Sequence, residues 1–491
     1  MGLKFVASLS AFALLASGCI SMAPKVPSPD AAVPDVAGAE SETPTVDLVA
    51  WQDYFTDPAL RMLIETALEN NRDLRAAVLN VERARALYRV ERAAFFPRVN
   101  GSFSYQRLQF GDQGFAPGFG GPGGGPGGGG GGGFGGGDQG DGPIEFYNAS
   151  VGLSGYEVDL FGRVKSLNNA ALATYFSSDE TRRAATVSLI AEVANAYLLL
   201  TADRALLTIA EETVTNQEDA LALTTRRFEG GVGNRVAVEQ VRTAIERARA
   251  DMATLEAQVR RDENGLRLLL GVAQLPAIEA PNAPQDVTLA DELPPAVSST
   301  VLLQRPDVRA AEYSLAAANA NIGAARAAFF PRLSLTANDG VGSQDLDNLF
   351  GEGAETWTFS PSVSVPLFTA GALRGQLAAS KLERDAALAN YERAIQVAFR
   401  DVADALAIRA TIDRRLSATQ RLLEATDAVY TLRQDQYESG VTDFLAVLDA
   451  QRENYNAERE LVSVQLARAA NVVTVYRSLG GASLYAAPED D

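Results

Sequence analysis

The 491-residue sequence contains no histidine and a single cysteine. Without imidazole, the serine and cysteine triads that depend on it are excluded, and so are the commonest zinc sites. One cysteine leaves no intramolecular disulfide. Positive charge is scarce: 43 Lys and Arg face 62 Asp and Glu, giving a formal net charge of −19 with no basic block. Nucleic-acid binding needs clustered cations to neutralise phosphate, so that partner is set aside. No clustered catalytic constellation stands out either, and an enzyme, a metal site or a cofactor is not expected.

What is present begins at the N-terminus. Lys4 precedes the apolar run "FVASLSAFALLA", which is too short to span a bilayer as a mature helix and fits a secretory signal. It ends in "LLASGC", with Ala16, Ser17 and Gly18 before Cys19. This resembles a bacterial lipoprotein signal, which implies cleavage after residue 18 and acylation of Cys19. More than one acyl chain would anchor the chain stably in outer-membrane lipid. Residues 19–50, rich in proline and small side chains, read as a tether.

Beyond the tether the chain repeats itself. "RAAFFPR" stands at 92–98 and again at 326–332, each time at the end of an alanine-rich helical run. Each copy then reaches an "LF" pair, Leu160–Phe161 and Leu367–Phe368, and "RRFEGGV" at 226–232 parallels "DQYESGV" at 435–441. The first copy is longer by a glycine-rich insert at 111–142. The organisation is therefore a tandem duplication, 51–271 and 300–481, joined by a Pro-rich crossover at 272–299 and followed by a tail at 482–491.

Each copy changes period at its proline. Strict alternation follows Pro97, with Val99, Phe103 and Tyr105 against Asn100, Ser102 and Ser104; Trp357, Phe359, Val363 and Val365 likewise oppose Thr358, Ser360, Ser362 and Ser364. Strands are expected at about 98–110, 144–156, 332–341 and 356–367, each with one apolar and one small polar face. That is the pattern of a membrane barrel with lipid outside and water inside. Proline ends a helix and biases the residue before it to extended geometry. Phe95, Phe96 and Pro97, and Phe329, Phe330 and Pro331, thus read as helix-to-strand switches at the membrane boundary, where aromatic side chains gather. The insert, joining two strands that both start from helices, belongs outside the cell. The remainder is long helix: Val193, Leu200, Leu207, Val214, Leu221 and Phe228 repeat every seven residues, as do Val441, Leu448, Tyr455, Val462, Ala469 and Tyr476. A helix of about 65 residues rises about 100 Å.

"WQDYFTDPALRMLIETALENNRDLRAA", "LLQRPDVRAAEYSLAAANANIGAARAAFFPRLSL" and "VPLFTAGALRGQLAASKLERDAALANYERAIQVAFRDVADAL" resemble motifs of the outer-membrane efflux proteins, the TolC-like exit ducts, in their nodulation-type lipoprotein branch. The resemblance runs from Trp51 to Gly481. It implies a mainly α fold with a membrane β-barrel, in which a homotrimer combines four strands per chain into twelve and the helices into a periplasmic tunnel. It also implies an inner-membrane pump of the resistance-nodulation-division type and a periplasmic adaptor as partners. Adaptor contact is implied at the tip turns, Gly230, Gly231, Val232 and Gly233 in the first copy and Gly440 and Val441 in the second. Leu445 and Asp449 match the apolar and acidic rings of a periplasmic gate, and Tyr437 matches a latch tyrosine. Thr442 and Ala237 occupy the places of that latch's charged partners, so closure by packing is expected. A type I protein-secretion duct would share this architecture and stays open as the alternative.

Overall fold

The computed structural model describes residues 22–29, 50–109, 144–277, 281, 283–287, 289 and 302–481. The expected signal peptide, Cys19, most of the tether, the glycine-rich insert, much of the crossover and the tail lie outside the described residues. Along the chain come α1 (Trp51–Tyr54), α2 (Pro58–Asn70), α3 (Arg72–Ala93), β1 (Val99–Leu108), β2 (Ile144–Val158), α4 (Arg163–Glu229) and α5 (Arg235–Leu270). The second copy continues with α6 (Pro306–Ala327), β3 (Arg332–Ser343), β4 (Glu355–Ser364), α7 (Ala372–Glu438) and α8 (Phe444–Ser478). The fold class is the expected one, mainly helical with four strands. The described residues form two compact units, one built around 88–169 and 320–381 and the other around 25–87, 170–319 and 382–491.

In the first unit, each "FFP" converts helix to strand in the same way. The amides of Phe95 and Phe96 bond back to Arg92 and Ala93, three residues earlier, and those of Phe329 and Phe330 bond to Arg326 and Ala327. The last turn tightens to 3₁₀ geometry, the proline cannot extend it, and the strand begins. The strands form one antiparallel sheet in the order β1-β2-β3-β4. Its small polar face is knitted across strands: Ser102 and Ser150 lie 2.9 Å apart and Ser334 and Ser362 2.7 Å apart. The opposite face carries Val99, Phe103, Val151, Trp357, Phe359 and Val363, all exposed and covered by no other described element. Arg107 and Glu145, 3.7 Å apart, bound that apolar band at the end remote from the helices.

β2 runs two residues past the expected end, because a bulge between Leu153 and Tyr156 restores pairing with Leu335 to Leu333. β4 stops at Ser364, short of the expected 367. Pro366 has no amide to continue a ladder, and Leu367 and Phe368 are left almost fully exposed.

The second unit is helical and holds the main core. Trp51, Tyr54, Phe55, Leu60 and Ile64 pack on Ile190, Val193 and Tyr197 of α4, Leu266 and Leu270 of α5, and Val473 and Tyr476 of α8. The rings of Tyr54, Phe55 and Tyr476 lie 5.0 to 5.3 Å apart, and Tyr54 donates to the Val472 carbonyl at 3.0 Å. A second cluster joins Leu302, Val308 and Leu315 to Tyr391, Ile395, Phe399 and Val402 of α7. Fully burying each such side chain stabilises by about 1.5–3 kcal/mol. Helix α4 is long and apolar enough to cross a membrane, but most of its apolar window is buried inside the protein, where residues 187–200 supply this core. The heptad rows follow the core only part-way. Val193 and Leu200 are buried while Phe228 is exposed, and Tyr476 and Val462 are buried while Val441 is exposed. A straight helix drifts about 20° per heptad against a seven-residue row, which turns the ends of both rows outward.

One buried pair in this unit carries a pH signature. Asp203 of α4 faces Asp262 of α5, and Gln258 donates to Asp262 Oδ1 at 3.0 Å while Asp262 Oδ2 is buried without a partner. Burial, then Asp262, pushes the Asp203 carboxyl up to about 7, against the partial relief of Gln258 and Arg261. The folded state thus holds a proton that the unfolded chain releases near pH 4. Stability from this group is complete below pH 4 and is lost as pH rises toward 7. Asp203→Asn is expected to gain more stability at pH 8 than at pH 5, by about 1–3 kcal/mol, as measured by thermal unfolding of the purified protein across that range.

Candidate functional site

The tips are built identically in both copies. At the end of α4 the Val232 amide bonds back to the Arg227 carbonyl at 2.9 Å, and at the end of α7 the Val441 amide bonds to the Gln436 carbonyl at 2.8 Å. Both are six-to-one closures that need a left-handed residue, supplied by Gly231 at φ 79° and Gly440 at φ 77°. The next helix is capped at once. Asn234 accepts from the Ala237 amide at 2.8 Å and Asp443 from the Ala446 amide at 3.1 Å. Between stop and start, Val232 and Val441 each stand 75% exposed.

Tyr437 is buried. It meets Phe444 edge-on at 5.0 Å and packs with Val241, Ile245 and Val447. Ala237 lines the same cluster, as packing and not as charge. The cation comes from a residue the sequence reading did not single out. The Arg227 guanidinium lies 4.7 Å above the Tyr437 ring, and its Nη1 donates to the Tyr437 and Glu438 carbonyls at 3.4 and 3.5 Å. The first-copy tip therefore grips the second. The signal was in the paired turns, where "RRFEGGV" places arginine beside the aromatic and "DQYESGV" places glutamine.

Leu445 and Asp449 lie one turn apart on α8 and line the same cleft. Leu445 is 47% exposed, and Asp449 Oδ1 sits 3.3 Å from Arg452 Nη1. The sequence reading did not single out Arg452, which at i+3 has the spacing for a same-helix ion pair. Both side chains are more than half exposed, so the pair contributes little stability, but it sets a guanidinium beside the Asp449 carboxylate. Among the described residues no group of three His, Cys, Asp or Glu is placed to hold a metal ion.

At the helix-to-strand switches, Phe330 stacks on Phe161 at 4.8 Å and Tyr156 donates its hydroxyl to the Phe95 carbonyl at 3.1 Å. The short described stretch just after Cys19 rests here too. Arg326 Nη1 donates to the Met22 carbonyl at 3.0 Å. Gly323 admits no side chain, since an added Cβ would lie 2.8 Å from the Ala23 amide nitrogen and 2.5 Å from Ser166 Oγ.

The family model described as outer membrane efflux protein matches residues 63–272 and 297–481. The chain is 40% identical to the solvent efflux pump outer membrane protein SrpC of Pseudomonas putida over 483 residues, covering 96% of this chain and 98% of SrpC. It is 36% identical over 481 residues to the probable outer membrane lipoprotein SilC of Salmonella typhimurium, covering 96% and 98%. Among solved structures, the open state of the MtrE outer membrane channel of Neisseria gonorrhoeae superposes with a TM-score of 0.81 at 36% identity, covering 94% of this chain and 98% of that one.

The grip of Arg227 on Tyr437 is testable in isolation. A cation over an aromatic face is worth about 0.5–2 kcal/mol. Arg227→Ala is therefore expected to speed amide hydrogen exchange at 230–232 and 440–441 by roughly 2- to 30-fold, with exchange around Tyr54 and Tyr476 unchanged. Equal exchange at the tips of variant and wild type would remove the grip.

Proposed function

This chain belongs to the outer membrane efflux protein family, and we propose that three copies form the exit duct of a tripartite efflux system. In this reading an inner-membrane pump of the resistance-nodulation-division type, coupled through a periplasmic adaptor, drives small molecules into the helical tunnel. They leave through a twelve-stranded barrel in the outer membrane. The carrying observation is the sheet: four strands, apolar on one face and hydroxyl-lined on the other, with both edge strands free of partners among the described residues. Backbone groups in lipid must be paired, and bacterial barrels close with at least about eight strands. One chain is insufficient and three satisfy the count.

The choice of cargo class rests on relatives. Those of about 40% identity are named as outer membrane proteins of solvent, toluene and antibiotic efflux pumps, which favours small molecules over secreted proteins. SilC is named a lipoprotein, in keeping with acylation of Cys19. The exposed Val232 and Val441 are the surface on which adaptor hairpins would seat, since the turns that present them are closed and capped by matching hydrogen bonds.

Leu445 and Asp449 would form the periplasmic constriction, with Tyr437 holding the α8 segment that carries them through its contact with Phe444. Three leucines supply a dehydration barrier and three carboxylates favour cations. Because Arg452 pairs with Asp449, that preference is muted in the resting channel. Planar-bilayer recording of reconstituted wild type is expected to give a small conductance with modest cation preference. Leu445→Ala with Asp449→Ala should raise conductance severalfold and abolish the preference, while Arg452→Ala alone should strengthen it. A double variant indistinguishable from wild type in both respects would remove these residues from the gate.

A further inference from the structure

A cleft of about 280 Å³ opens between α4, α5 and α8 above the tips. Its floor is Gln217 of α4, only 5% exposed. Gln217 Nε2 donates to Gln451 Oε1 at 2.5 Å, but Gln217 Oε1 is buried and has no hydrogen-bond partner. Buried acceptors are ordinarily paired, and an orphan one calls for a donor. The walls are amphipathic, with Leu445, Leu448 and the Tyr455 ring on α8 opposite Ala244, Ala248 and Asp251 on α5.

The charges decide which donor fits. Asp449 is engaged by Arg452. Asp251, half-buried in the same cleft, makes no ion pair among the described residues. Behind Tyr455 the surroundings are acidic: Asp251 and Glu458 both act on the tyrosine, and Glu212 and Asp427 act on Glu458. The opposing cations stand at the margin. Arg247 is on the exposed rim, and Arg459 lies 5.5 Å over the Tyr455 ring. An anion would meet the Asp251 carboxylate and the orphan Gln217 Oε1, and a neutral apolar molecule would leave Gln217 Oε1 unpaired. A positively charged N–H donor satisfies both.

We propose that this cleft is a binding site for a small amphipathic ammonium compound. Its N–H groups donate to Gln217 Oε1 and the Asp251 carboxylate, and its apolar body lies against Leu445, Leu448 and Tyr455. The site is complete within one chain and does not require the constriction reading, although an occupant would sit against two of the residues named there.

The test is equilibrium binding of phenethylamine and of its neutral counterpart 2-phenylethanol to the full-length protein in detergent. The amine is expected to bind saturably and the alcohol at least about tenfold more weakly, the usual scale for losing a charge-assisted hydrogen bond. Asp251→Asn and Gln217→Leu should each weaken the amine about tenfold, with helical content and oligomer size as controls for folding. Gln217→Glu, which keeps an acceptor at the floor and adds charge, should bind the amine at least as tightly as wild type. Equal binding of amine and alcohol, undiminished amine binding in Asp251→Asn, or weaker binding in Gln217→Glu would each overturn the proposal. Binding and conductance are read separately, so failure here leaves the constriction untouched, and an unchanged conductance in the gate variants leaves the cleft standing.

Discussion

Everything in this molecule depends on two rows of unpaired backbone groups. β1 and β4 are the edges of the sheet, and among the described residues neither has a second neighbour. In water such edges invite uncontrolled pairing. In lipid they are forbidden outright, because nothing there can hydrogen-bond to them. The apolar face of Val99, Phe103, Trp357 and Phe359 has no cover among the described residues, so lipid suits that face, and the proposed trimer would close the edges.

The duplicated sequence solves each local problem twice with the same chemistry and then breaks the symmetry where the two solutions meet. Both switches use a 3₁₀ turn over two phenylalanines followed by proline, and both tips use a left-handed glycine followed by a capping Asn or Asp. The asymmetry lies in the pairing of Arg227 with Tyr437, one from each copy. A cation offered to an aromatic ring adds to the apolar cluster of Val241, Ile245, Tyr437, Phe444 and Val447 that joins the two tips. The hydrophobic anchor is at the opposite end of these helices, where Tyr54, Phe55 and Tyr476 close the core. The larger core at that end and the smaller apolar cluster at the tips distribute local stability unevenly along the helices and leave the tips the more readily opened end.

Much of this was legible in the sequence because the signals were local and periodic. Alternation of apolar and hydroxyl side chains identified all four strands, and the repeated "FFP" identified where two of them, β1 and β3, begin. Their ends were less legible. The bulge that carries β2 to Val158 depends on a partner strand far away in sequence, and the early stop of β4 depends on Pro366 acting one residue after an alternation that otherwise continues. At the candidate site, Leu445 and Asp449 do share one helix face and one cleft. Their electrostatic setting was read incompletely. Arg452 could have been found from its i+3 spacing. Arg227 could be suggested only by comparing the two tip turns, because its contact with Tyr437 spans 210 positions. Gln217 gave no signal at all, since a buried orphan acceptor exists only once three helices have packed around it.

The central claim is that the free edges of one chain are closed by two others. Disulfide trapping tests it directly, with one cysteine placed on β1 between Val99 and Leu108 and one on β4 between Glu355 and Ser364, the pair scanned in register across the two strands in membranes. The account predicts that at matching registers oxidation yields a covalent species of three chains and nothing larger. Cross-links confined to a single chain, an open ladder of higher multiples, or no cross-link at any register would contradict it.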